Sequence, residues 1–158
     1  MPASPDTLEA TGPIQPPPPP EETPTVRTIA VRLHPGQDLR VELEAFARAN
    51  ALRAPFVMTC VGSLSVAALR PAGVNATVLV EGDLEILSLV GTLSEEGPHL
   101  HLTVGDNECR VQGGHAQEGS IVRTTAEVVL GELDDVVFRR PVDPETGWDE
   151  LVVEPREA

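Results

Sequence analysis

Only one stretch of this chain spaces its apolar residues for a helix. Leu39, Leu43, Phe46 and Ala47 fall on one helical face, and Asp38 stands where its carboxylate caps the first turn of a helix running to about Asn50. Elsewhere from residue 26 onward the apolar runs are short. They alternate with polar neighbours or are bounded by Gly, Pro, Asn and Asp, the pattern of strands and turns. VRTIAVRL (26–33) alternates and is followed by the turn Pro35-Gly36; FVMTCVG (56–62) is a continuous buried run, with short strands expected at 63–70 and 76–80. Gly82 opens DLEILSLVGTLS (83–94), whose apolar positions change phase between Ile86 and Leu87, so a bulge or bend is expected near Leu87-Ser88. HLHLTV (99–104), CRVQGG (109–114) and SIVRTTAEVVLGEL (120–133) complete the set. Many strands with a single helix predict an α+β domain: a curved, largely antiparallel barrel-like sheet with one main helix packed on it.

The domain is expected to span residues 26–154, leaving a short C-terminal tail at 155–158. Ahead of it, residues 1–25 hold nine of the sixteen prolines and show no periodicity. Prolines 16–20 favour a polyproline II rod, and the remainder buries too little apolar surface to offset its ordering entropy, so a disordered proline-rich acidic tail is expected there. The tail contains four of the 25 acidic residues and none of the 11 arginines, so the rest carries 21 acidic against 11 basic groups and stays at −10 within a total of −14. Direct binding to DNA or to an anionic membrane needs a cationic footprint, and neither is expected of so acidic a chain. No apolar run approaches the roughly 20 residues of a membrane span, and the N-terminal residues do not resemble a secretory signal. Cys60 and Cys109 form no paired motif, which fits two small buried thiols in a reducing cytoplasm.

The most specific chemistry lies in three of the four histidines. Residues i and i+2 of a strand share a face, so His99, His101 and Thr103 point one way and Leu100, Leu102 and Val104 the other. A turn at 105–108 folds the next segment back. Pairing Val104 with Cys109 sets Leu102 against Val111 and brings His115 beside Pro98 and His99, but on the wrong face. A bulge at Gly113-Gly114 would restore it. Three neutral imidazoles with an open fourth position suit zinc, and imidazole also suits other divalent transition metals. A polar strand face plus a turn histidine explains the same spacing, and the residues alone leave both readings open. Glu85 and Arg70, charged within apolar runs, Glu118, three residues after His115, and Arg123 are the candidates for acid–base or anion-holding roles. Each is equally readable as a solvated strand or loop position. His34, in LHPG, reads as a surface turn. No nucleophile triad order, phosphate-cradling glycine loop or CxxC is present.

Several segments in succession, LHPGQDL, VGSLSVAALR, EGDLEILSLVGTLS, PHLHLTV, VQGGHAQEGSIVRTTAEVVLGEL and FRRPVDPETGWDELVV, resemble the PPC (plants-and-prokaryotes conserved) domain from about residue 27 to 153. The resemblance implies a mixed α/β domain with a large antiparallel sheet that assembles as a homotrimer. Trp148, the lone tryptophan, is then expected to pack on a sheet edge or on a neighbour. Plant members carry AT-hooks for A·T-rich DNA. This chain has no basic residue before Arg27, so the AT-hook is missing. The fold is also similar to that of acetolactate decarboxylase, a zinc enzyme that binds its metal through an HxH pair and a later histidine, an order matched by His99, His101 and His115. Three functions follow as expectations: a trimeric metal-binding domain with a possible small-molecule ligand, a DNA-associated regulator, or a metal-dependent lyase or hydrolase acting on a small oxo- or hydroxy-acid.

Overall fold

The computed structural model describes residues 25–157. The tail expected at 1–25 therefore lies, but for Thr25, outside the described residues. The elements in chain order are β1 (Val26–Leu33), α1 (Leu39–Ala49), β2 (Pro55–Arg70), β3 (Val78–Thr92), β4 (His99–Gly105), β5 (Val111–Ala116), β6 (Ile121–Leu133), β7 (Val136–Arg139) and β8 (Val152–Pro155). The first six strands form one antiparallel sheet in the order β1-β6-β2-β3-β4-β5. At its far end β5 returns to pair with the last residues of β2, Leu69 with Ala116 and Arg70 with His115. The sheet thus curls into a partial ring of strands and is not a closed barrel.

The expected helix forms for the expected reasons. Asp38 Oδ1 accepts from the backbone N–H of Arg40 at 3.0 Å and of Val41 at 3.1 Å, satisfying two orphan donors of the first turn. Its other carboxylate oxygen accepts from Gly119 N–H, so the cap also ties the helix to the β5–β6 turn. Leu39, Leu43 and Ala47 enter the core beside Leu64, Leu84, Leu102, Val104, Val128 and Leu130. Each large side chain buried this way contributes roughly 1.5–3 kcal/mol.

The phase change in β3 is the anticipated bulge. The register with β4 shifts between Ile86 and Ser88, Leu87 turns to solvent, and Leu84, Ile86 and Leu89 all reach the core. Two boundaries differ from expectation. The runs 56–62 and 63–70 join into one long strand, β2, and 76–80 joins 83–92 into β3 through Gly82, which bends the strand without ending it. Long strands absorb bends at glycines and bulges without losing their ladder. Residues Val136 to Pro155, where only Trp148 was expected to pack, build their own two-stranded sheet of β7 and β8. Trp148, in the loop between them, stays 60 % exposed.

Cys60 is buried, and burial pushes its thiol up to about 12. Cys109, expected to be buried too, is exposed, because it sits in the β4–β5 turn. Among the described residues no helix is long and apolar enough to cross a membrane.

Candidate metal centre

The β4–β5 hairpin places the three histidines. Gly105 pairs with Val111, Val104 with Gln112, Thr103 with Gly113, Leu102 with Gly114 and His101 with His115, without a break. The expected pairing of Val104 with Cys109 and the bulge at Gly113-Gly114 are therefore both wrong. The cause lies in the turn. Asp106 Oδ1 accepts from Glu108 and Arg110 N–H, each at 2.9 Å, and Cys109 takes a left-handed φ of 59°. This side-chain-capped loop is longer than the tight turn assumed and moves the register by three residues. An odd shift reverses the facing of β5 relative to β4. His115 thereby joins the face of His99 and His101 directly, and Val111 turns out to solvent instead of into the core.

Gly114 has a different use. A Cβ there would stand 2.8 Å from the Arg70 carbonyl oxygen, so its bare Cα lets β5 close on β2 and carries Arg70 to the side of His115.

The rings converge. Their centroids lie 5.1 Å (His99–His101), 5.2 Å (His99–His115) and 4.6 Å (His101–His115) apart. One ligating nitrogen from each falls within 4.8 Å of the others. Nε2 of His99 and Nε2 of His101 are 3.2 Å apart. Two nitrogens bound at about 2.0–2.1 Å to one tetrahedral zinc are themselves about 3.3 Å apart, so this pair already has the spacing of a shared cation. Burial, then the nearby Arg140 and His101, hold the His99 imidazole below its ordinary pKa; burial, then Arg70 and the two other rings, do the same for His115. Both rings therefore favour the neutral form that ligates metal.

Beside the trio lies a cavity of about 540 Å³. His99, His115, Arg70 and Arg140 line it, together with the loop residues Trp148 to Glu150. Arg140 donates from Nη2 to Thr92 Oγ1 at 2.6 Å and from Nη1 to the Asp149 carbonyl at 3.3 Å, and Nη1 stands 3.4 Å from His99 Nδ1. Its Nε is buried with no acceptor among the described residues. Burial of this cation pulls its pKa down from the usual arginine value.

Of the four charged candidates, only Arg70 lines this cavity. Glu85 is paired with Gly105, four residues past His101 along β4 and so about 13 Å away along the strand. Arg123 is bound to Asp83 at 2.9 Å, and Glu118 is exposed in the β5–β6 turn, outside the cavity wall. His34 is an exposed turn residue, as expected, with its N–H bonded to Gln37 Oε1. Arg140, Thr92, Asp149 and Glu150 were not singled out from sequence. Arg140, Asp149 and Glu150 stand far from the histidines in the chain; the β3–β4 register sets Thr92 opposite His99, and Thr92 in turn holds Arg140 there.

The sequence profile of the Plants and Prokaryotes Conserved (PCC) domain matches residues 20–134. The chain belongs to this family. Among similar proteins of known structure, a hypothetical protein from Salmonella cholerae-suis is 44 % identical, with a TM-score of 0.83 over 86 % of this chain and 99 % of that one. A metal-containing protein from Archaeoglobus fulgidus is 27 % identical, with a TM-score of 0.68 over 80 % of this chain and 93 % of that one. A bifunctional protein GlmU from Synechococcus sp. (strain JA-3-3Ab) is 47 % identical over 137 residues, 87 % of this chain but 22 % of the relative. The chain thus spans about a fifth of the length of the curated relatives it matches.

Proposed function

We propose that this PCC-domain protein is a metal-binding domain that holds one divalent transition metal, zinc or an ion of similar ligand preference, through His99, His101 and His115 and assembles as a homotrimer. The observation that carries the metal reading is the convergence of three imidazoles on one sheet face, two of them with their Nε2 atoms 3.2 Å apart. A bound divalent ion would supply a Lewis-acidic centre with an open position toward the cavity. The metal content of the Archaeoglobus relative is in keeping with this. The trimer rests on the family resemblance and is favoured by the exposed apolar side chains Met58, Val61, Leu87 and Val90 on the main sheet. Native mass spectrometry of the natively purified protein tests both at once. The expected species is three chains of 16.8 kDa carrying one metal ion each. A metal-free species that takes up no zinc when supplied overturns the metal assignment, and a monomer at micromolar concentration overturns the assembly.

The depressed His99 and His115 fix the sign of the pH dependence. Protons compete with metal only as pH falls toward the folded pKa of each ring, which lies below 6.5 for both. Zinc affinity is expected to fall on acidification, with the loss due to His99 and His115 setting in at lower pH than for free imidazole. Competition titrations against a chelator at falling pH provide the check, and a steep loss already above pH 7 would contradict it.

A further inference from the structure

We propose that the cavity beside the histidines is a subsite for a small organic carboxylate, gripped by Arg70 and Arg140 while it occupies the open position of the bound metal. The inference rests on the metal reading above and adds the class of ligand.

The pairing of the arginines points to it. Arg27, Arg40, Arg53, Arg110, Arg123 and Arg139 each hold a carboxylate. Among the described residues five arginines have no acid partner; Arg32, Arg48 and Arg156 are exposed away from the cavity, whereas Arg70 and Arg140 line it beside the trio. Both stand beside the trio, each next to a different histidine. Arg70 is the cross-strand partner of His115, and Arg140 reaches His99. Arg70 makes no side-chain hydrogen bond among the described residues, which leaves its planar fork free for a two-oxygen ligand.

Arg140 is held in place but under-satisfied. Thr92 and the Asp149 carbonyl fix its two ends, and Nε has no acceptor. Metal capture loosens it further. A ring that gives its Nε2 lone pair to a cation carries its proton on Nδ1. His99 Nδ1 then no longer accepts from Nη1, and that N–H too seeks an anion.

The charge balance agrees. Of the charged residues lining the cavity, Arg40 is paired with Glu44 and Glu96 with Arg139, which leaves Arg70 and Arg140 against Asp149 and Glu150. With neutral imidazoles the wall is balanced, and a divalent ion leaves an excess of about two positive charges for the ligand to offset. The acids on the wall disfavour a compact phosphate dianion, which would bring more negative charge beside them than a carboxylate does. A cavity of about 540 Å³ is roomy enough for a small metabolite.

Cobalt(II) titration followed by visible absorption tests this, with glycolate as the probe carboxylate and inorganic phosphate as the competing anion. The expected result is cobalt uptake by the wild-type protein and a change in its d–d bands on adding millimolar glycolate. Arg70→Gln should weaken the glycolate response by about tenfold or more while cobalt affinity stays within about twofold. Arg140→Lys, which keeps charge but not the fork, should weaken it too, and Arg48→Gln, whose exposed arginine lies off this cavity, should not. Absence of cobalt uptake would remove the metal reading, and this inference with it. Cobalt uptake with no glycolate response, a response unchanged in Arg70→Gln, or tighter binding of phosphate would overturn the carboxylate subsite and leave the metal centre standing.

Discussion

Replacing His101 by alanine is expected to lower zinc affinity by more than about 100-fold while leaving the unfolding midpoint of the metal-free protein almost unchanged. The two effects separate because of where β4 puts its side chains. His101 is exposed on the outer face, and the core contacts of the strand come from Leu100, Leu102 and Val104, each at most 2 % exposed. Truncating an exposed strand residue away from special features costs within about 0.5 kcal/mol. Removing one of three ligands leaves two imidazoles, a weak site, and exceeds the 10- to 100-fold typical of losing only an outer partner of a metal ligand. Chelator competition on wild type and variant, beside denaturant unfolding of both in EDTA, reads the two quantities separately. Unchanged zinc affinity would mean the trio is a polar strand face; a large loss of stability would mean His101 has a packing role that its exposure hides.

Much of the fold was legible because its determinants are local. The cap at Asp38, the helical face of Leu39 and Leu43, and the phase change at Leu87 each depend on a few neighbouring residues, and each appears where alternation and capping place it. Strand joins were not legible in the same way. Gly82 reads as punctuation in a linear scan, yet β2 pairs Val66 with Glu81 on one side of it and Leu64 with Leu84 on the other, and that continuous partner keeps β3 whole. The register of β5 shows how a correct convergence can be reached by a wrong route. The apolar match of Leu102 with Val111 was persuasive, but Val111 is 61 % exposed and Leu102 faces Gly114. Asp106-Asn107 is a recognised side-chain turn signal, and reading it as a capped longer loop would have given the observed register without any bulge.

The histidines were legible because HxH with a later His is a compact pattern. Their surroundings were not. Arg140 lies 41 residues from His99 and reaches it only because the segment before β8 folds back over the end of β3. No periodicity carries that information. Conversely, Glu85 looked informative because charge inside an apolar run is unusual, and it proved to be an exposed strand position opposite Gly105, while Arg123 is exposed and paired with Asp83.

Substituting Gly91 by alanine is expected to be among the most damaging single changes to the domain, at about 3 kcal/mol or more, and to damage the metal centre with it. Gly91 has φ +136°, a region that side-chain-bearing residues rarely adopt, and the strain of forcing one there costs on the order of 1–3 kcal/mol. Space is also lacking. A Cβ on Gly91 would run into the carbonyl oxygen of His99 and lie 3.0 Å from Leu100 Cα, both backbone atoms of β4 that cannot step aside without opening the β3–β4 ladder. Relieving the contact therefore moves His99 itself. Gly82 supplies the control, since it has nearly the same φ, +143°, in the same strand, but nothing lies within 4 Å of a Cβ there. Gly82→Ala should show backbone strain alone, about 1–2 kcal/mol, and keep zinc binding. Gly91→Ala should add the steric term, lower the melting temperature by roughly 10 °C and weaken zinc binding in whatever fraction still folds. Equal stabilities for the two variants would show that β4 yields easily at His99, and that the ladder holding the histidine trio is softer than its register implies.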